Sequence, residues 1–332
     1  MSALLRDDVE IDFDADIVVS DSDHELALTL FHQMLRIREF ELRVNKSFLE
    51  GHIPGTIHLS LGQEACAAGA CHPLNVEDWI TITHRGHGQA LAKGVTAASM
   101  MAELFARDGG CCRGYGGSLH VGDMSVGAVP AIAIVADSIP ITAGIAYAFR
   151  ARNERRVALC FTGDGAAGEG DWHEGLNLAA AWNLPVVYLC ENNLYSISTR
   201  IDRQFKNTSL AARAATYGMR SLVVDGNDVL AVQRAVAAEV ERIRNEGGGP
   251  VFIECLTYRQ GGHKRDDPGS YRPQEEVDLW MGRDPLARLE RTLVAQGAGG
   301  DVEELRAKVS EELDEAVAWA FASPLAEWKV DS

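Results

Sequence analysis

The residues best equipped for chemistry lie between positions 157 and 195, in the string VALCFTGDGAAGEGDWHEGLNLAAAWNLPVVYLCENNLY. Asp164 sits between Gly163 and Gly165, and Asn193 follows a second apolar run at 186–190. A carboxylate and a carboxamide are hard oxygen donors of the kind that hold Mg²⁺ against phosphate oxygens. The spacing lets them meet. An apolar run at 157–161, a loop, a helix-like segment around Glu174, Leu176 and Asn177 and the second run make a βαβ unit. Its right-handed crossover delivers both strand ends to one edge of a parallel sheet. The same stretch spells G-x-G-x-x-G through Gly163, Gly165 and Gly168, with Glu191 closing the next strand, as a dinucleotide-binding fold requires. Against that reading, Asp164 stands where a pyrophosphate would lie on helix amides, and two anions in contact repel unless a cation separates them. The metal reading accounts for both loops and the dinucleotide reading for one.

The elements that must carry these loops follow from periodicity. Residues 1–21 are acidic and aperiodic, which suits a mobile or loosely wrapped arm. Ser22 and Glu25 form a capping-box pattern, and Leu26, Leu30, Met34 and Ile37 continue a helix to the stop at Gly51, with no chemistry assigned to it. Residues 52–94 carry two polar clusters, HLSLGQEA from His58 and THRGHG from Thr83. A helix over 97–107 leads into the Gly-rich GGCCRGYGGSLHVGD, whose adjacent Cys111 and Cys112 are poorly placed to bridge one another. Further strands are expected at 222–224 and 251–258, separated by a helix at 229–244 that ends on Gly247, Gly248, Gly249 and Pro250. From Asp284 onward, Leu286, Leu289, Leu305, Val309, Leu313, Ala316 and Ala320 mark amphipathic helices suited to a subunit contact. The expected class is α/β, a parallel sheet flanked by helices with helical N- and C-terminal additions. Its divisions are an arm at 1–21, an α/β domain at 22–283 and a helical extension at 284–332.

Composition narrows the function. A chain of 332 residues with 46% hydrophobic content can bury a substantial core. Its net charge of −17 speaks against nucleic acid or an anionic membrane as a partner, so any phosphate site must be local. Seven cysteines form no C-x-x-C and no zinc-ligand spacing. No basic segment precedes an apolar N-terminal core and no run reaches the length of a membrane span, so the cytoplasm is the expected compartment.

GDG separated by 26 residues from NN, with GEGDWHEGLN between, resembles the thiamine diphosphate motif. The chain from about 23 to 321 resembles the alpha subunit of the decarboxylating component of 2-oxo acid dehydrogenases, a family of pyruvate, branched-chain and acetoin enzymes. The resemblance implies a thiamine diphosphate-binding fold, with Mg²⁺ held by Asp164, the Asn193 side chain and the Tyr195 carbonyl. It places Gly163, Gly165 and Ala166 against the cofactor diphosphate, which His84 and Arg85 also reach. A guanidinium suits that task because it pairs phosphate oxygens bidentately. The string YRQGGHKRDDPGSYRP at 258–273 is similar to the family's YRxxGHxxxDDxxxYR loop. This implies that His263 stands near the thiazolium and handles protons, with His58 beside the active-site channel as a second catalytic candidate. Lys264 replaces the serine of regulated relatives, so phosphorylation control is not available there.

One segment departs from the family pattern. Where GNGIVG is usual, the chain has Ala131, Ile132, Ala133, Ile134, Val135 and Ala136. Ala133 and Val135 would lie against the aminopyrimidine, and the added methyl groups are expected to narrow the pocket and forbid positive φ. The implied partners are a beta subunit supplying the activating Glu in an α2β2 assembly and a dihydrolipoyl acyltransferase core that accepts the acyl group. The implied small-molecule substrate is a 2-oxo acid or acetoin, with THRGHG and ENNLY leaning toward acetoin. The competing readings are an NAD-dependent oxidoreductase and a non-catalytic or lipoyl-independent thiamine diphosphate paralogue.

Overall fold

The computed structural model describes residues 11–327, so the expectation for residues 1–10 of the arm lies outside the described residues. In chain order the elements are α1 (His24–Leu49), α2 (Glu64–Cys71), β1 (Trp79–Thr81), α3 (His87–Lys93), α4 (Ala97–Leu104), β2 (Ala128–Val129), α5 (Ser138–Ala151) and β3 (Ala158–Gly163). There follow α6 (Gly170–Ala181), β4 (Val186–Asn192), the short hairpin β5 (Tyr195–Ser196) and β6 (Thr199–Arg200), α7 (Ile201–Gln204), α8 (Leu210–Ala215) and β7 (Arg220–Asp225). The chain ends through α9 (Val229–Glu246), β8 (Val251–Leu256), α10 (Gln274–Gly282), α11 (Pro285–Ala295) and α12 (Gly299–Ala322). Among the described residues no helix is long and apolar enough to cross a membrane.

Six strands form one parallel sheet in the order β2-β1-β3-β4-β8-β7. Successive side chains of a strand point to opposite faces, and here both faces are apolar. Leu159, Phe161, Val187, Leu189, Val251 and Ile253 join one core with α1, α2, α9 and α12. Ala158, Cys160, Val186, Tyr188, Cys190 and Phe252 join the other with α5 and α6. The continuous apolar runs are therefore strands covered on both sides. β1 and β2 span three and two residues and gave no pattern of their own to read.

Capping follows local chemistry in some places and departs from it in others. Asp228 accepts the Leu230 and Ala231 N–H groups at 3.0 Å to start α9, and Gly247 ends it at φ 67°. The expected Ser22–Glu25 box does not form. Asp23 occupies the N-cap of α1 without a side-chain bond to the helix, because its carboxylate takes the Ser20 hydroxyl (2.5 Å) and Arg234 (2.7 Å). The helix expected over 97–107 ends at Leu104, and Ala106 turns to φ 53°.

The described part of the arm is seated, contrary to its acidic composition. Phe13, Ile17 and Val19 are buried. The carbonyls of Ala15, Ile17 and Val19 accept bonds from Arg288 (2.9 Å), Thr292 (3.0 Å) and Gln296 (2.8 Å). Alternate residues of an extended chain face one way, and donors four apart share one face of a helix, so the arm runs along α11 in matched steps. Arg283 adds a bidentate pair to Asp14 at 2.8 and 2.9 Å.

The C-terminal helices also pack inward. Leu289, Leu293, Val309 and Leu313 share the α1 core. Arg38 of α1 bonds Glu64 at 2.5 and 3.0 Å and Asp284 at 2.7 Å, tying α2 and the start of α11 to α1. Glu64 is fully buried, so removing its partner strands a charge. Arg38→Ala is expected to lower the unfolding free energy by about 3–5 kcal/mol. Lys308→Ala, which breaks the exposed pair with Glu304, is expected to cost less than about 0.5 kcal/mol. Denaturant unfolding of the two variants checks the contrast.

Candidate active site

The strand order turns at β1 and β3: the chain builds outward through β2 on one side and through β4, β8 and β7 on the other. Ligands of open parallel sheets bind at the carboxyl ends of the strands at such a point. A cavity of about 400 Å³ opens there. Its walls come from the loop between α1 and α2 and from the segments that follow β1, β2, β3, β4 and β8. His58, His84, Arg85, Ala133, Val135, Gly163, Asp164, Gly165, Ala166, Asn193, Tyr195 and His263 all line it, although they are spread over some two hundred positions of the chain.

Parallel pairing of β3 with β4, with Gly163 opposite Glu191, sets the loops that carry Asp164 and Asn193 side by side. Asp164 is 2% exposed, and its Oδ2 meets no hydrogen-bond partner. Burial pushes this carboxyl up to about 6, against its own amide, the Arg259 charge and the amides of Asn193 and Gly165. A buried carboxylate oxygen without a donor is costly, and a divalent cation is the group that relieves it. The Asn193 Oδ1 accepts the Tyr195 N–H at 3.2 Å, so the turn that aims Asn193 also fixes Tyr195. Gly165 must lack a side chain, since a Cβ there would lie 2.6 Å from the Ser196 Oγ. The residues present fit an Mg²⁺ bound together with a diphosphate. The dinucleotide reading fails on the same geometry. Asp164 occupies the phosphate position, and α6 starts only at Gly170, after a 3-10 turn at Asp164–Gly168.

Opposite this carboxylate stands a basic, uncharged cluster. The rings of His58, His84 and His263 lie with centroids 5.0–5.7 Å apart. Burial and the neighbouring positive charges push His58 and His84 down to about 3 and His263 down to about 4, so all three are neutral near pH 7. The His58 Nδ1 is buried without a partner. The His263 Nδ1 faces the Arg259 Nη1 at 3.5 Å, an arrangement that makes Nδ1 the acceptor and leaves the ring proton on Nε2. Arg85 is more committed than a free phosphate clamp. It donates to the Leu59 carbonyl and the His263 carbonyl, each at 2.7 Å, and so joins the loops that carry His58 and His263. Burial, reinforced by Arg259, pushes Arg85 down to about 9.

The wall at 131–136 corrects one expectation. Ala136, which stands where the family string has glycine, adopts a left-handed φ of 74°. The alanine methyl did not forbid the conformation; it strains it by about 1–2 kcal/mol. Ala131 is anchored by its N–H to the Val121 carbonyl (2.8 Å), and its own carbonyl lies 2.9 Å from the His120 Nδ1. Ile134 and Val135 are left 67% and 47% exposed at the cavity wall.

Several residues that shape the site escaped sequence reasoning. Gln89 accepts the Thr83 N–H at 3.0 Å and donates to Glu191 at 2.7 Å, linking the loop after β1 to the end of β4. Burial pushes Glu191 up to about 8, with Arg85 and Gln89 opposing. Glu41 of α1, a helix with no assigned chemistry, lies 3.0 Å from the His87 Nδ1 and accepts both the Ser60 N–H (2.8 Å) and hydroxyl (2.7 Å). Asp267 organises the last loop by accepting from the His263 N–H (2.6 Å), the Gly269 N–H (2.9 Å) and the Tyr271 hydroxyl (2.8 Å). Burial alone would raise the Asp267 carboxyl, and these donors hold it down at about 2. Arg259 spans the cavity floor between Tyr271 (2.7 Å) and the Ile197 carbonyl (3.1 Å). The available signals were the Q of GQEA and HGQA, the E before NN and the second D of the DD pair.

Comparison with known proteins agrees with this architecture. The model of the "Dehydrogenase E1 component" family matches residues 32–329. The chain is 42% identical over 301 residues to the alpha subunit of the acetoin:2,6-dichlorophenolindophenol oxidoreductase of Bacillus subtilis, covering 90% of each protein. It is 41% identical over 305 residues to the subunit of the same name from Cupriavidus necator, covering 91% of each. It is 38% identical over 307 residues to the alpha subunit of the pyruvate dehydrogenase E1 component of Zymomonas mobilis, covering 92% of this chain and 86% of that one. A match of this extent, which spans every segment lining the cavity, makes the chain a member of the dehydrogenase E1 component family, as an alpha subunit.

Proposed function

We propose that this chain is the alpha subunit of a heteromeric, thiamine diphosphate- and Mg²⁺-dependent dehydrogenase that decarboxylates a 2-oxo acid or cleaves acetoin and passes the acyl group to a lipoyl carrier. The observation that carries the reading is the buried Asp164 carboxylate with one unpartnered oxygen beside Asn193. In this reading Asp164, the Asn193 side chain and the Tyr195 carbonyl hold the metal. His84, Arg85, Gly163, Gly165 and Ala166 face the diphosphate, and main-chain groups of Ala133 and Val135 face the aminopyrimidine. Thiamine diphosphate, when bound, supplies the nucleophilic carbon and the electron sink for cleavage beside a carbonyl. His263 and His58, held neutral by burial, accept or return a proton at the substrate. Asp267 and Arg259 keep the His263 ring and its tautomer in place.

Two features favour acetoin as the first substrate to test. The cavity wall is aliphatic at Leu119, Ile132, Ile134 and Val135. The guanidinium groups of Arg85 and Arg259 already serve backbone carbonyls, which leaves fewer free N–H donors to pair a substrate carboxylate. The exposed Ile134, Val135 and Ile197 suit coverage by a beta subunit, in an α2β2 assembly served by a dihydrolipoyl acyltransferase core. A cytoplasmic setting belongs to the same proposal. Co-expression with a beta subunit, followed by assays of acetoin and a panel of 2-oxo acids with an artificial electron acceptor, tests it; turnover of none of them would end the reading.

Asp164→Ala is expected to abolish Mg²⁺-dependent binding of thiamine diphosphate in calorimetry while leaving the melting temperature close to that of the unmodified chain, since losing the amide contacts offsets relief of the unpartnered oxygen. Undiminished binding would remove the metal assignment. The histidine cluster predicts acid lability. Its folded-state pKa values lie below the ordinary imidazole value of 6.5, so the unfolded chain takes up more protons as pH falls. The contribution is complete above about pH 6.5 and is lost progressively down to about pH 3. Thermal melts at pH 7.5, 6 and 5 are expected to show a smaller decline for His84→Gln than for the unmodified chain.

A further inference from the structure

Cys111 and Cys112 take no part in the site described above. Their Sγ atoms and a carboxylate oxygen of Glu103 lie within 4.8 Å of one another. Glu103 is fully buried and already saturated. One of its oxygens accepts the Cys112 (2.7 Å) and Gly114 (2.8 Å) N–H groups, and the other accepts those of Gly116 (2.6 Å) and Gly117 (3.1 Å). It acts as a clasp that folds the loop, with Gly110 packed so closely that a Cβ there would lie 2.4 Å from the carboxylate. The clasp leaves two partly exposed thiols together on one turn. The other five cysteines, Cys66, Cys71, Cys160, Cys190 and Cys255, are buried.

We propose that Cys111 and Cys112 form a vicinal dithiol site for a soft centre that two sulfurs satisfy, with a trivalent arsenical as its chemical type. Structural zinc takes four ligands, and this cluster offers two sulfurs, a saturated carboxylate and no imidazole. Soft thiolate pairs select soft, low-coordinate centres instead. The Cys111 thiol bonds Cys112 and holds it below the ordinary cysteine value, which favours the thiolate that attacks first. With an aryl arsenic(III) oxide, the arsenic–oxygen bond breaks and two arsenic–sulfur bonds form. Both thiol protons leave with the oxygen as water, and no atom changes oxidation state. The site is joined to the cavity wall: the Cys112 Sγ donates to the His120 carbonyl at 3.1 Å, Leu119 lines the cavity, and the His120 ring meets the Ala131 carbonyl.

The test is intact-mass spectrometry of the full-length chain with phenylarsine oxide. One arsenic per chain is expected, released by a small dithiol and resistant to an equal concentration of monothiol. Cys111→Ser and Cys112→Ser should each weaken binding at least about 100-fold, because the second sulfur no longer binds intramolecularly. Should a variant fail to fold, alkylation footprinting of the unmodified chain gives the same answer: the arsenical should protect Cys111 and Cys112 together, and Zn²⁺ at the same concentration should protect neither. No adduct, a separate adduct on each thiol, an adduct retained in Cys112→Ser, or equal protection by Zn²⁺ would overturn the proposal.

Discussion

Everything at the site depends on β3 and β4 lying side by side in parallel, with Gly163 opposite Glu191. The pairing brings a buried aspartate against the turn that carries Asn193, and the sheet, covered on both faces, keeps water from dispersing their fields. A carboxylate in that position is a liability to the folded chain, as its upward-shifted pKa records. Proteins tolerate such groups where function needs them, and the surrounding structure must then over-determine their position. Here the N–H groups of Gly165 and Asn193 hold the carboxylate, and left-handed turns at Leu194 (φ 72°) and Ile197 (φ 53°) fold the next loop back over it.

What was legible in the sequence was local. GDG and NN could be read because each is a short string at the end of an apolar run, and strand alternation places both at one sheet edge. β1 and β2 were not legible, since elements of three and two residues exist only because β1 pairs with β3 and β2 pairs with β1. The arm was misjudged for a related reason. Aspartates predict solvation, but Asp14 meets a bidentate Arg283 and three alternate carbonyls meet donors on α11, none of which periodicity of the arm could signal. Glu41, Gln89 and Asp267 escaped because each acts through a partner distant in sequence or hidden in a loop. Glu41 belongs to a helix whose pattern reads as structural, yet it fixes His87 and Ser60.

The segment at 131–136 shows alanine in a conformation that glycine adopts more readily. Replacement of glycine by alanine argues against a left-handed residue, and Ala136 adopts one nonetheless. The turn is imposed from outside: Ile132 donates to the Ile82 carbonyl at 3.1 Å, Ala131 pairs with Val121, and α5 begins immediately afterward at Ser138. A strain of about 1–2 kcal/mol is small against those anchors. The departure from the family string therefore changes the surface offered to a ligand, adding methyl groups, while Ala136 still adopts a left-handed conformation.

The charges of the cavity are arranged as two unfinished halves. At one end Asp164 is a buried anion with one oxygen lacking a donor, and burial drives it toward the neutral form. At the other, Arg85 and Arg259 are buried cations whose donors meet neutral groups, carbonyls, a phenol and the His263 ring, and burial drives both downward. The neighbouring imidazoles stay neutral because burial and the arginine charges both disfavour the imidazolium. A ligand that is cationic toward Asp164 and anionic toward the arginines relieves both penalties at once, whereas a ligand of single sign relieves one and aggravates the other. A divalent ion bound to a diphosphate has that polarity, and it allows a chain of net charge −17 to retain a polyanion without a basic surface.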